Sequence, residues 1–286
     1  AMSAKNLSSQ YQKKDLHSHI YDTPDTYVGG CDLIEESLGV FDDTQNRIVT
    51  APTEFIPALY NIFNEILVNS RDQVIRLQTS GGSSDIPVKS IRVEIDAEKG
   101  QISVYNDGSG IDVVEHPTET KNGKPLYIPE MIFGHLLTST NYNKQETKVV
   151  GGKNGYGAKL TNIFSTKFKL ETVDHVRQKK YVQEFSNNMR QSKKPKITDY
   201  DKKPYTRITW IADFQRFGVD GYSDSMISLM KRRVYDIAGI TDPKVSVSLN
   251  KHVLKVKTFP DYAKMYLEKN AICLSTQLGE RWSLCV

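Results

Sequence analysis

Four polar residues spaced four apart, Asn61, Glu65, Asn69 and Gln73, interrupt an otherwise apolar run over residues 53–79. On a helix, residues at that spacing stand about 5–6 Å from one another, so the four form one polar stripe. Such a stripe can simply face solvent. Asparagine, however, is a poor interior helix former, and a solvent face more naturally carries lysine and glutamate. A carboxylate one turn from a carboxamide oxygen could instead hold a water beside Mg2+, an ion that takes oxygen ligands and keeps much of its water shell. Glu65 is then the base and Asn69 the metal ligand.

A second candidate is Asn106-Asp107-Gly108-Ser109-Gly110. Gly108 and Gly110 allow a backbone to approach a ligand closely, and an amide or carboxylate at a strand end could accept the exocyclic amine of adenine. An ordinary Asn-Asp-Gly turn is the plain alternative. The third candidate, "GGKNGYGAKL" at 151–160, has the glycine separation of a Walker A loop but not its Lys-Ser/Thr pair. Ala158 and Leu160 occupy those places. A helix starting at Ala158 would present free N–H groups to an anion, with Lys153 or Lys159 adding charge. A mobile surface loop is the other reading. Ser139, Thr140 and Asn141 could reach ribose or phosphate, or could end a helix and begin a polar loop.

The elements that would position these groups follow from periodicity. The run 53–79 predicts a helix about 40 Å long, with Thr53 as N-cap and "SGGSSD" as its stop. Alternation at Ile91, Val93 and Ile95, then at Ile102 and Val104, predicts a β-hairpin leading into Asn106. Shorter helices are expected over 129–137, from Ala158, over 223–238 and over 260–268. Strands are expected near 166–173, 179–185, 205–211, 245–249 and 253–257. Residues 1–20 look like an extended arm. This is an α+β order rather than regular βαβ alternation, which argues against a Rossmann or P-loop sheet.

Composition is permissive. The 286 residues carry a net charge of +4, with 38% hydrophobic and 25% charged residues, as in ordinary globular protein. That balance allows contact with nucleic acid without demanding it. Lys231, Arg232 and Arg233 could face DNA, or form a solvated helix face. No apolar run of about eighteen residues exists, so no membrane partner is expected. Three cysteines without a CxxC spacing favour a reducing compartment.

Taken in order, Glu-x-x-x-Asn on a helix, Asn-x-Gly-x-Gly after a strand and a glycine-rich lid before a helix resemble the GHKL ATPases. That group includes DNA gyrase, heat-shock chaperones, MutL and histidine kinases. More narrowly, "YQKK", "PDTYVGG", "NEILVNSRD", "LLTSTNYN", "GGKNGYGAKLTNIFSTKF" and "RRVYDIAG" resemble the N-terminal ATPase region of eukaryotic-type DNA topoisomerase II.

The resemblance implies a Bergerat α/β sandwich, a mixed and largely antiparallel sheet with helices on one face. It implies an N-terminal arm over 1–20, a nucleotide domain over 21–257 and the truncated start of a transducer over 258–286. ATP and Mg2+ are the implied ligands. Glu65 matches the general base and Asn69 the magnesium ligand. Asn106 matches the adenine-reading position with Gly108 and Gly110 beside it; many relatives have aspartate there. Ser139, Thr140 and Asn141 match a nucleotide-binding triplet, threonine replacing a usual serine. Gly152, Lys153, Asn154, Gly155, Tyr156, Gly157, Ala158 and Lys159 match the phosphate lid, and Tyr11 matches an arm residue that reaches the partner subunit's nucleotide. The implied activity is ATP-gated passage of one duplex through a break in another by a homodimer, in the nucleus or, for a viral source, in the host cell or virion. Relatives add a Gln-Thr-Lys lysine from the transducer. "STQLGER" has Leu278 in its place and comes too early, so weak hydrolysis is expected of this chain. A MutL-like or chaperone-like ATPase and a non-catalytic nucleotide-gated dimerisation module are the alternatives.

Overall fold

A computed structural model describes residues 15–79, 82–136, 156–268, 271–279 and 282–286. Helix α1 (Leu16–Asp22) opens the described chain, capped by the Asp15 carboxylate accepting from the Ser18 N–H. Residues 16–20 are therefore helical rather than extended. Tyr21 ties α1 to the body by donating to Asp213 at 2.8 Å, and Arg216 donates to the Tyr21 carbonyl.

Strands β1 (Ile34–Asp42) and β2 (Arg47–Phe55) form an antiparallel hairpin apart from the main sheet. Helix α2 (Pro57–Thr79) follows at once. Thr53, expected as the helix cap, lies instead inside β2 opposite Glu36. The reason is Pro57: proline favours the first position of a helix and pushes the residue before it into extended backbone. The apolar period begins before the backbone is free to coil.

Strands β3 (Ser90–Asp96) and β4 (Gln101–Asp107) form the expected hairpin, and β5 (Glu115–Lys121) and β6 (Lys124–Tyr127) form another. Helix α3 (Ile128–Gly134) is shorter than expected. Helix α4 (Gly157–Ile163) then precedes β7 (Ser165–Asp174), β8 (Lys179–Ser186), β9 (Gln191–Ser192), β10 (Lys196–Asp199) and β11 (Tyr205–Ala212). Helix α5 (Asp224–Ile240), capped by Ser223, leads to β12 (Ser246–Leu249) and β13 (His252–Val253). Helix α6 (Phe259–Lys264) opens with a Thr258–Asp261 capping box. Strands β14 (Ser275–Leu278) and β15 (Trp282–Cys285) make a terminal hairpin. A disulfide joins Cys273 to Cys285, a pairing that the odd cysteine count did not anticipate.

The main sheet runs β10-β8-β7-β11-β4-β3-β12-β13, with β9 beside β8. Its pairs are antiparallel except β12 with β3, so it is mixed and largely antiparallel, as expected. Period-two alternation divides its faces. Ile91, Val93, Ile102, Val104, Phe168, Leu170, Ile208 and Trp210 share one buried cluster with Leu59, Ile62, Phe63 and Ile66 of α2 and Met230, Val234 and Ile237 of α5. Residues of opposite parity, Tyr105, Val173 and Tyr205, form a separate small cluster on the other face.

Candidate functional site

Helix α2 carries the stripe at half-buried and exposed positions, and its members differ in use. The Asn61 amide donates to the Val28 carbonyl at 2.7 Å. The Gln73 amide donates to the Ser109 carbonyl at 2.9 Å. These two are structural ties at the ends of the stripe. Between them, Glu65 is half-buried and Asn69 exposed. Neither makes a hydrogen bond or ion pair among the described residues. Burial, with the like charge of Asp72 adding to it, raises the Glu65 carboxyl above the ordinary glutamate range. A carboxylate held without a partner at such a pKa is suited to proton abstraction.

Glu65 faces the first residue of α4. A methyl group built on Gly157 would lie 1.9 Å from Glu65 Oε2, so only glycine leaves room for the carboxylate. Helix α4 is fixed there by the Thr161 hydroxyl, which donates to the Ile62 carbonyl at 2.8 Å, and by the Asn162 amide donating to Phe133. Tyr156 and Ala158 flank this point. Lys159 is buried, with its ammonium 6.0 Å from the centre of the Tyr156 ring. It has no carboxylate within ion-pair distance among the described residues, and desolvation lowers its pKa.

The strand-end loop is held from three sides. Ser109 donates its N–H to the Ile86 carbonyl and accepts from the Ile86 N–H at its hydroxyl, both at 2.8 Å. Gly108 has φ +91°, and a Cβ there would meet the Ile86 carbonyl oxygen at 2.9 Å. At Gly110 a Cβ would lie 2.1 Å from the Val173 carbonyl oxygen. The glycines are thus required by close packing against β7 and the chain before β3. Asn106 is buried on the helix-covered face, its amide donating to the Asp107 carbonyl at 3.0 Å. Its carboxamide oxygen has no partner among the described residues.

Sequence reasoning missed three residues here. Asp107 points to the opposite face, fully buried, and accepts from the Lys89 and Ser90 N–H groups, the Ser90 hydroxyl and Lys203. Burial alone would raise its pKa, but these donors together hold it below the usual carboxylate range. Thr206, on β11, pairs with Asn106 of β4 and with Thr172 of β7. The two threonine hydroxyls lie 2.8 Å apart, and Thr172 accepts from the Ile111 N–H. A core-facing threonine near the end of β7 and another near the start of β11 were the available signal.

Tyr11, Ser139, Thr140, Asn141, Gly152, Lys153, Asn154 and Gly155 lie outside the described residues. Lys231, Arg232 and Arg233 are not free for DNA. Lys231 pairs with Asp43, both arginines pair with Asp236, and Arg233 also donates to Asn64 at 2.7 Å. No cluster of three or more His, Cys, Asp or Glu side chains suited to a metal occurs among the described residues, and no helix in them is long and apolar enough to cross a membrane.

No family model matches the chain. Individual proteins do. It is 44% identical over 290 residues to a probable DNA topoisomerase 2 of Dictyostelium discoideum, matching all of this chain and 18% of that protein. It is 39% identical over 289 residues to the DNA topoisomerase 2 of Acanthamoeba polyphaga mimivirus, matching 99% of this chain and 22% of that one. The chain therefore spans about a fifth of the length of these curated relatives. The crystal structure of the ATPase region of Saccharomyces cerevisiae topoisomerase II superposes with a TM-score of 0.86 at 41% identity, covering 97% of this chain and 71% of that one. Nothing supports the MutL-like, chaperone-like or non-catalytic alternatives. With this sheet, these strand-end glycines and this identity along nearly its whole length, the chain belongs to the DNA topoisomerase II family and corresponds to its ATPase region.

Proposed function

We propose that the chain binds ATP on the helix-covered side of the sheet and that Glu65 is the general base of its hydrolysis. The observation that carries this reading is the half-buried, unpartnered Glu65 carboxylate held against Gly157. Asn106 reads the adenine amine, with Gly108 and Gly110 setting the loop and Thr172 and Thr206 supporting it. Ser139, Thr140, Asn141 and residues 152–159 contribute the remaining nucleotide contacts. Asn69 holds magnesium: its exposed carboxamide has no partner among the described residues, and a single oxygen ligand suits an ion that retains most of its water. When bound, magnesium supplies charge neutralisation at the phosphates. Phosphoryl transfer to water otherwise rests on positioning and electrostatics. Here Glu65 orients the water and takes its proton, and the α4 packing shields one side of that carboxylate.

At the level of the whole enzyme, the reading is a homodimer whose N-gate closes on ATP, with Tyr11 of the 1–20 arm reaching the partner subunit's nucleotide. The nucleotide domain covers 21–257, and 258–286 begins the transducer. The substrate is duplex DNA, and the compartment is the nucleus or, for a viral source, the host cell or virion. The test is Glu65→Ala. It should retain binding of a non-hydrolysable ATP analogue in Mg2+ while losing hydrolysis by about 10²-fold or more; undiminished turnover would reject Glu65 as the base. Asn69→Ala should weaken the Mg2+ dependence of analogue binding, and an unchanged Mg2+ titration would reject that assignment.

A further inference from the structure

The basic residues of α5 and a group of basic residues on the helix-free side of the sheet differ in how they are paired. On α5, Lys231 pairs with Asp43 and both Arg232 and Arg233 pair with Asp236. On the helix-free face, Lys89, Arg92, Arg207 and Lys251 have no carboxylate within ion-pair distance among the described residues. Two of these four cations lie over aromatic rings. Arg92 stands 4.8 Å from the centre of the Tyr105 ring, and Arg207 stands 5.3 Å from Tyr105 and 5.7 Å from Tyr205. Lys180 lies 5.6 Å from Tyr205 on the same face but is paired with Glu171. Beside this row a cavity of about 640 Å³ is lined by Lys89, Arg92, Lys203 and Lys251, with Glu94 and Asp107 as its carboxylates. Asp107 is already engaged by Lys203 and by backbone N–H groups, so the cations dominate the opening.

We infer that this helix-free face of the sheet is a docking surface for the phosphate backbone of duplex DNA. A cation lying on an aromatic ring is held in place without being neutralised, and its outward N–H groups stay available to an anion. The aromatic partners Tyr105 and Tyr205 are themselves buried. They cannot serve as stacking platforms for unpaired bases, which is how aromatic side chains hold single strands. The surface therefore offers charge without base readout, the requirement for sequence-independent contact with a duplex. It lies back to back with the proposed nucleotide site, since Asn106 and Asp107 are neighbours facing opposite ways. The inference rests on the DNA-handling part of the proposed function but not on the assignment of Glu65.

The experiment measures fluorescence anisotropy of a labelled duplex of about 30 base pairs with the 286-residue chain, from about 20 to about 200 mM KCl. Arg92→Gln combined with Lys251→Asn removes two cations; asparagine suits the positive φ at 251. The double variant should bind about tenfold more weakly at about 50 mM salt, and the slope of log K against log salt should fall by about 2. Lys231→Gln, which removes a paired cation, should change neither quantity, and Glu65→Ala should bind duplex as the parent does. An unchanged slope in the double variant overturns the inference. So does an equal loss in Lys231→Gln, or absence of duplex binding at the lowest salt. Displacement of the duplex by polyglutamate as readily as by unlabelled duplex would assign the face to an acidic protein and would likewise overturn it.

Discussion

Replacing Gly157 by alanine separates the positioning of Glu65 from the stability of the fold. The new methyl would lie 1.9 Å from Glu65 Oε2 and 2.8 Å from its carboxyl carbon. Non-bonded carbon contacts settle near roughly 3.5 Å, so the carboxylate must retreat by more than about 1 Å. The displaced atoms are the tip of a flexible, half-exposed side chain, so the backbone of α4 need not move. Alanine in place of glycine in a helix contributes up to about 1 kcal/mol, and the melting temperature should stay level or rise slightly. Catalysis should not stay level. A misplacement of about 1 Å can cost roughly 10²-fold in rate, or about 2.7 kcal/mol of barrier. The assay is single-turnover ATP hydrolysis with enzyme in excess, alongside analogue binding and thermal unfolding of the same preparation. Hydrolysis at the parent rate would refute the claim that Glu65 works from its place against Gly157. A collapse of the melting temperature would refute the claim that only the side chain gives way.

Other perturbations report on the same framework. Glu65→Gln should raise the melting temperature near neutral pH. The folded-state pKa of Glu65 is raised, so its contribution is most favourable below the unfolded value of about 4.3 and declines as pH rises through the folded value; the variant's advantage should vanish in acid. For the same reason the acid limb of the hydrolysis rate should lie above the ordinary glutamate range, and a limb at or below that range would count against Glu65 as the base. Asp107→Asn should destabilise by about 2–3 kcal/mol in urea titrations, through weakened charge-assisted bonds to Lys203, Ser90 and Lys89. Here the folded pKa is lowered, so the stabilisation is present above the unfolded aspartate value and is lost as pH falls through the folded one. Gly110→Ala meets backbone at 2.1 Å and should cost about 2–3 kcal/mol, whereas Gly221→Ala, with nothing within 4 Å, should melt within a degree or two of the parent.

Much of the scaffold was legible in the residues. The alternation at 91–95 and 102–104 corresponds to β3 and β4, and the strands expected near 166–173, 179–185 and 205–211 are β7, β8 and β11. The β1–β2 hairpin was not foreseen, because most β1 residues are exposed or half-exposed and its apolar residues, Ile34, Leu38, Val40 and Phe41, keep no unbroken alternation. The β5–β6 hairpin carried a signal that went unused: Asn122 and Gly123, both at positive φ, are the turn pair that favours such hairpins. At Thr53 the apolar period was followed past the one residue, Pro57, whose covalent geometry decides where the helix begins.

Local chemistry is what the amino-acid sequence by itself determined: the polar spacing on α2, the glycines at the end of β4, and the order in which these motifs occur, which was enough to indicate the family. Those signals survive in a one-dimensional string because they depend on neighbours within a turn or a hairpin. Only the tertiary structure divided the stripe into ties at Asn61 and Gln73 and free groups at Glu65 and Asn69. It alone brought Gly157 against Glu65, set Asp107 against Lys203 and the start of β3, and paired Lys231 with Asp43 while leaving Lys89, Arg92, Arg207 and Lys251 of the opposite sheet face without a carboxylate partner among the described residues. Each of those outcomes is a distance between residues far apart along the chain, and burial, pKa and charge compensation are properties of such distances.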